Sequence, residues 1–283
     1  MFIILGASGN IGSQVVKSLS EAGQPALAVV HSAEKARAFE GGKVAAVVAD
    51  VTDSDALRAV FRRGKRAFLL NPPGDTSGDS NAAELATSRS ITDALADSGL
   101  EKIVVASTYG ARPGAGVGDL TTLYDFEERA KASGIATAIN RGAYYFTNLA
   151  MLAEPAKGGT LPAMFPAAFT LPMVHPADLG IVAAERLQSP IDDTGVVYIE
   201  GPERYSFGDA AAVFARHLGR EVTVATTPRE QWEDSFRKIG FSDEAARSYA
   251  RMTAATLDKL DVPPSPRRGR VTLDEYVAGL VGG

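Results

Sequence analysis

The residues most suited to chemistry lie at the very start of the chain. Gly6-Ala-Ser8-Gly9-Asn10-Ile11-Gly12 places glycine at every third position. This spacing suits a loop that cradles a pyrophosphate. The first glycine permits the tight turn, the second lets backbone approach the phosphates, and the third lets the following helix pack closely. The free N–H groups and positive dipole end of that helix would then face the anion. Gly6, Ser8, Gly9, Asn10, Ile11 and Gly12 are therefore the expected cofactor-binding loop.

The end of the second strand chooses between dinucleotides. His31 stands about where an NAD enzyme places an acid for the ribose 2′-hydroxyl. The sequence there is His31-Ser32-Ala-Glu-Lys35-Ala-Arg37, with no acid at the strand end and two cations close behind. Cations attract a 2′-phosphate and an acid repels it. His31, Ser32 and Lys35 thus favour NADP(H), with NAD(H) as the alternative and with Lys35 and Arg37 also readable as a solvated helix face.

Three later strand ends face the same groove. Asp50-Val51 suits the adenine amino group or, equally, a helix cap ahead of Asp53. Asn71-Pro72-Pro73 forms a rigid wall, because proline fixes its own backbone. Ser107-Thr-Tyr109-Gly110 ends the fifth strand, where open α/β sheets bind ligands. The four glycines from Gly110 to Gly118 suit a substrate lid or an ordinary surface loop.

Tyr109, Tyr144, Tyr145 and Phe146 suit the walls of a pocket for a flat substrate, although core packing explains one or two of them as well. A short-chain reductase wants lysine four residues after its tyrosine, to help it give up a proton. Here Tyr124 is followed by Glu128, which works against that role, so Tyr124 is read as a packing or pocket residue and the catalytic residue stays unknown. His31, His175 and His217 lack ligand spacing, so no metal site is expected. No Gly-x-Ser-x-Gly elbow occurs. The basic run Arg62-Arg-Gly-Lys-Arg66 reads as a solvated turn.

These residues need strands to position them. Apolar runs at Phe2–Leu5, Ala26–Val30, Val44–Ala49, Ala67–Leu70, Ile103–Ala106 and Ala136–Asn140 alternate with helical patterns, including a long one over Asn81–Ser98. The alternation predicts an α/β fold, a doubly wound parallel sheet of Rossmann type. Residues 1–150 are the expected dinucleotide-binding domain. Residues 151–283, punctuated by Pro155, Pro162, Pro166 and Pro172, read as a smaller substrate-side α/β lobe, with 170–187 returning to the Rossmann core. Ser206 caps a helix through Leu218, and two late helices follow near Arg229–Ile239 and Asp243–Leu257.

Composition narrows the classes. Hydrophobic residues at 45% and charged residues at 22% give an ordinary globular balance. A net charge of −5 argues against nucleic acid as the partner. The absence of cysteine removes disulfides and thiolate chemistry, and suits a reducing cytoplasm. No apolar run reaches membrane-spanning length, and the short apolar start is no export signal.

The chain resembles the NmrA-like family of atypical short-chain dehydrogenases. Ile4-Leu-Gly-Ala-Ser-Gly-Asn-Ile-Gly12, His31-Ser-Ala-Glu-Lys-Ala36, Leu69-Leu-Asn-Pro-Pro73 and Ser133-Gly-Ile-Ala-Thr137 carry the likeness. So do Arg141-Gly-Ala-Tyr-Tyr-Phe-Thr-Asn148, Val174-His-Pro-Ala-Asp-Leu-Gly180 and Gly201-Pro-Glu-Arg-Tyr-Ser206. The resemblance implies a Rossmann core, a smaller C-terminal lobe and NADP(H) binding. Family members divide into reductases of quinones, azo dyes or plant phenolics and non-catalytic, dinucleotide-sensing regulators that bind another protein. Many reductases carry Arg where His31 stands, and several carry Lys where Glu128 stands. The expected function is an NAD(P)H-dependent oxidoreductase acting on a small flat acceptor, with the sensor as the alternative.

Overall fold

Strand residues with side chains on opposite faces are buried alike, which is why the strands read as unbroken apolar runs. Ile4, Ala28, Phe68, Val104 and Ala138 face one core, and Ile3, Leu5, Leu27, Ile103 and Val105 face the other. The computed structural model describes residues 1–42, 44–260 and 262–282.

Strand β1 (Phe2–Leu5) leads to α1 (Gly12–Glu21), β2 (Ala26–Val30) to α2 (Ala33–Arg37), and β3 (Ala45–Val48) to α3 (Ser54–Phe61). Then β4 (Arg66–Leu69) leads to α4 (Ser80–Asp93), and β5 (Lys102–Thr108) to α5 (Asp119–Ala132) and β6 (Ala136–Gly142). The second half holds β7 (Tyr144–Tyr145), α6 (Ala153–Lys157), β8 (Thr160–Ala163), β9 (Thr170–Val174), α7 (Pro176–Gln188) and β10 (Gly195–Glu200). It continues through β11 (Arg204–Ser206), α8 (Phe207–Leu218), β12 (Thr223–Thr226), α9 (Trp232–Lys238), α10 (Asp243–Asp258), β13 (Arg267–Arg268) and α11 (Leu273–Val281).

The main sheet has the order β13-β10-β6-β5-β4-β1-β2-β3, and every pairing in it is parallel. The order reverses at β1, so the carboxyl ends of β1 and β4 open a crevice where α/β sheets take their ligands. Helices α1 and α7 cover one face; α3, α4 and α5 cover the other. Of the segment 170–187, β9 lies in a small separate sheet with β7 and β11, while α7, which runs on to Gln188, packs against α1, β5 and β6. Strands β10 and β13 of the second half join the main sheet, which the sequence reading did not foresee. A third core, around Phe146, Leu161, Phe207 and Phe214, belongs to the second lobe.

Strand ends fall within a residue or two of the expected ones, but one helix end differs more. Helix α4 stops at Asp93 rather than Ser98. From Leu95 the amides bond three residues back, Leu95 N to Thr92 O and Ala96 N to Asp93 O, and Asp97 turns into positive φ at 55°. Arg58 of α3 takes the loosened carbonyls of Asp93 and Ala96, at 2.9 and 3.1 Å. Helix α11 went unread, although Thr272 and Glu275 close a capping box at its start.

Candidate active site

The glycine loop joins β1 to α1. Gly9 N donates to Gly6 O at 2.9 Å, and Ala7 N donates to Val29 O at 3.2 Å, tying the loop to β2. A Cβ at Gly12 would lie 2.2 Å from Gly6 O, so no side chain fits there. A Cβ at Gly180 would lie 2.7 Å from Ile11 O, so α7 also presses on the loop from behind. Ser8, Gly9 and Asn10 stay exposed. Side chains of Ser32, Asp53, Asp79, His175 and Ser206 cap α2, α3, α4, α7 and α8, but Ile11 offers α1 no side-chain cap. The first turn of α1 is thus open to an external anion, and the loop fits a dinucleotide pyrophosphate.

His31, Lys35 and Arg37 are exposed around the end of β2. Ser32 Oγ accepts from Lys35 N at 3.3 Å, so that side chain serves α2 as its cap. Asp50 Oδ1 accepts from Thr52 N and Oγ1, both at 2.8 Å, and these bonds hold its carboxyl below the usual range. The cap of α3 is Asp53, bonded to Asp55 N and Ala56 N, so Asp50 is not the helix cap. Val51 packs partly into the second core.

Deeper in, two buried networks meet the ends of β4 and β5. Asn71 Nδ2 donates to Glu84 O at 3.1 Å, and Asn71 Oδ1 is buried without a partner among the described residues. The Glu84 carboxylate accepts from Gly74 N at 2.9 Å and from Thr122 Oγ1 at 2.6 Å. Pro72 is half-buried and Pro73 exposed beside them. Burial, and then the Glu84 charge, push the Asp119 carboxyl up to about 6. In the other network Ser107 Oγ donates to Glu127 Oε1 at 2.5 Å. Arg141 grips both oxygens of Glu127 at 2.8 and 2.7 Å and reaches Tyr198 Oη at 3.0 Å.

The four aromatics separate into two pairs. Tyr145 lines a small enclosed cavity with Ile11, Phe68, Ala106, Ser107, Asn140 and Leu179. Tyr144 is half-buried and edge-on to Phe207, with burial raising its hydroxyl to about 12. Phe146 is 0% exposed and packs on Tyr205 and Tyr276, so it is a core residue of the second lobe rather than a pocket wall. Tyr109 is likewise buried, its hydroxyl donating to Glu200 Oε1 at 2.9 Å. The two are covered differently: Phe146 by the core of the second lobe, and Tyr109 by Tyr198 and Glu200 of β10 at the edge of the main sheet. Tyr124 is half-buried, and Glu128 points outward to Lys131 at 2.7 Å. The histidines scatter: His175 caps α7, His217 meets Asp274, and His31 stands at β2.

The NmrA-like family model matches residues 1–261. The chain belongs to the NmrA-like family. An NAD(P)H azoreductase of Xenophilus azovorans is 24% identical over 261 residues, covering 90% of this chain and 86% of that protein. Among solved structures, the triphenylmethane reductase of Citrobacter sp. complexed with NADP(H) superposes with a TM-score of 0.81 at 16% identity, over 99% of this chain and all (100%) of the other. The NADPH-dependent quinone oxidoreductase of Escherichia coli complexed with NADPH gives 0.79 at 22% identity, over 99% of both chains.

This NmrA-like chain holds features that sequence reasoning missed. Glu84, Asp119, Glu127 and Glu200 read as helix or strand charges in a linear pattern, yet Glu84, Glu127 and Glu200 are at most 4% exposed. Ser248 of α10 accepts from Gly118 N at 2.8 Å and from Asn81 Nδ2 at 2.7 Å, so a late helix clasps the starts of α4 and α5. An open cavity of about 340 Å³ lies along this clasp, between Asn81, Gly116, Arg247 and Arg251. The one legible signal was the glycine spacing at 110–118, which marks a segment that something else must hold.

Proposed function

We propose that this chain is an NAD(P)H-dependent reductase of a small flat acceptor, such as a quinone or an azo compound, with NADP(H) preferred over NAD(H). The observation that carries the reading is the exposed Ser8-Gly9-Asn10 tip ahead of an uncapped α1, held from behind by Gly12 and Gly180. The compounds in the relatives' names, azo compounds, triphenylmethane dyes and quinones, share conjugated skeletons that can accept a hydride.

When bound, the reduced nicotinamide supplies a hydride. The protein's part is to bind and orient. Gly6, Ser8, Gly9, Asn10, Ile11 and Gly12 hold the pyrophosphate. His31, Ser32 and Lys35 meet the 2′-phosphate side, and Asp50 and Val51 the adenine. Asn71, Pro72, Pro73 and Ser107 flank the nicotinamide half, and Tyr144 and Tyr145 the acceptor. Residues 1–150 carry the dinucleotide, and the later lobe shapes the acceptor's place. Among the described residues no helix is long and apolar enough to cross a membrane. A cysteine-free chain working with reduced dinucleotide suits the cytoplasm.

A second reading, a dinucleotide sensor that binds another protein, is favoured by one observation. The enclosed space beside Ile11, Ser107 and Tyr145 is about 10 Å³, room for about one water. A flat acceptor therefore needs Tyr145 or another wall of this space to move. The test is an NADPH and NADH titration followed by a screen of quinones, azo compounds and aldehydes for NADPH oxidation. Binding with acceptor-dependent oxidation is the expected result. Tight binding with no turnover on any acceptor establishes the sensor instead.

A further inference from the structure

We infer that the cavity between α4 and α10 is a binding site for an aromatic carboxylate or sulfonate, with Arg251 as its counter-ion. Where that anion is a substituent on the acceptor, the inference rests on the reductase reading. As a site for a free aromatic acid it stands apart from that reading.

Two helix faces build the space. Residues 244, 247, 248 and 251 recur at helical spacing, so Glu244, Arg247, Ser248 and Arg251 line it from a single face of α10. Ala82 and Leu85 of α4 supply an apolar wall. Ser248 sets the gap between the helices, its Oγ accepting from Asn81 Nδ2 at 2.7 Å and from Gly118 N at 2.8 Å. Ser242 anchors the start of α10, its N donating to Thr76 O at 2.8 Å and its Oγ to Gly78 O at 2.7 Å. The volume, about 340 Å³, is that of a small-molecule site and takes a fused pair of rings.

Charge chooses the ligand. The lining carries two acids and two arginines, and three of these four charges are already engaged. Asp79 Oδ1 accepts from Ala82 N at 3.0 Å as the cap of α4. Arg247 Nη2 donates to Glu244 Oε1 at 2.9 Å. Arg251, exposed to solvent, forms no ion pair among the described residues. Its Nη1 lies 3.0 Å from where a Cβ at Gly116 would stand, so glycine there leaves the guanidinium its room. Ser248, three residues earlier on the same face, adds a second donor. It is 3% exposed, and its oxygen already accepts two hydrogen bonds, which leaves its hydroxyl proton to give. A planar guanidinium and a hydroxyl suit an oxyanion. The apolar wall of Ala82 and Leu85 suits the face of a ring.

The place suits the acceptor's half of the groove. Asn81 follows the loop that leaves β4 through Asn71-Pro72-Pro73, and Gly116 lies in the loop that leaves β5 after Ser107. Strand β2, whose end carries His31, stands two places from β4 in the sheet. Arg251 is thus set apart from the 2′-phosphate side, and the anion it meets is not the dinucleotide's.

The experiment titrates the full chain with naphthalene sulfonate and with its neutral analogue, naphthalene sulfonamide, by calorimetry. Wild type should bind the sulfonate at least about fivefold more tightly, and Arg251→Met should cancel most of that preference without weakening the sulfonamide. Arg251→Lys should keep part of it, and added salt should shrink it. Ala82→Trp, which fills the space from α4, should block both ligands. A weaker preference in wild type, an equal one in Arg251→Met, or wild-type binding by Ala82→Trp overturns the site. So does a loss of NADPH affinity beyond about threefold in folded Arg251→Met, which would give the cation to the dinucleotide. If Arg251→Met does not fold, the wild-type preference and Ala82→Trp decide. Steady-state NADPH oxidation then separates the sources. Competition between naphthalene sulfonate and a sulfonated naphthoquinone assigns the anion to the acceptor. Binding without competition assigns it to a free aromatic acid, and the site stands in either case. Wild-type protein that reduces no quinone sinks the reductase reading, while the calorimetry still decides the site.

Discussion

At the scale of single residues, the glycines of the loop do different work and can be told apart. A Cβ at Gly12 meets Gly6 O at 2.2 Å, so Gly12 serves the fold, whereas a Cβ at Gly9 meets the same oxygen at 3.3 Å and is nearly tolerated. Gly9→Val should therefore fold, yet weaken NADPH binding tenfold or more, about 1.4 kcal/mol or above, by fluorescence titration. Unchanged affinity in a folded variant would place the cofactor elsewhere. His31 is exposed at the end of β2, so His31→Asp puts a carboxylate beside the 2′-phosphate without disturbing a core. It should erase or reverse the preference for NADPH over NADH, and equal affinities in the unmodified protein would remove the basis for that preference. Tyr124→Phe should lower the rate by less than about tenfold, below the range that an essential general acid supplies. A hundredfold loss with fold and affinity intact would make Tyr124 the acid.

At the scale of elements, the ends of strands matter most. Glu127 on α5 and Arg141 on β6 form a buried pair, 0% and 13% exposed in their side chains, that locks α5 to the sheet under Ser107. Removing one partner leaves a buried charge alone, a change that costs about 3–5 kcal/mol. Arg141→Met should lower the melting temperature by well over 5 °C, while Lys131→Met, which frees only the exposed Glu128, should barely move it. Sequence reasoning found the six strands of the first half and the Ser206 cap because period, length and capping are local signals. It missed the end of α4, where long-range bonds from Arg58 decide, and it missed the buried acids. A lone Glu84, Glu127 or Glu200 looks solvated in a linear pattern, and only the fold brings each its donors. The loop glycines were legible for the opposite reason: their whole argument is contained in seven residues. Tyr109 and Phe146 were misplaced because nothing local says that β10 will cover the one and the second lobe's core the other.

At the scale of the molecule, the two halves are not separable. Helix α7 covers the face formed by Ile4, Phe68, Val104 and Ala138, and β10 pairs with β6 along Gly195–Ile199. A fragment of residues 1–150 would expose that face and lose the Gly180 contact behind the loop. It should bind NADPH at least 100-fold more weakly than the full chain, or be insoluble; a soluble fragment with full affinity would show that the first half stands alone. The close crossing at Gly180 has a further consequence, in time rather than in space. On the ribosome the glycine loop emerges well before the helix that braces it, which is complete only at residue 188, and before the last strand of its sheet, near residue 268. The chain therefore makes its nucleotide-binding end long before that end can hold anything. Until then the uncovered sheet face is a target for chaperones, and the first chance to retain the cofactor comes about 170 residues after the loop itself has been made.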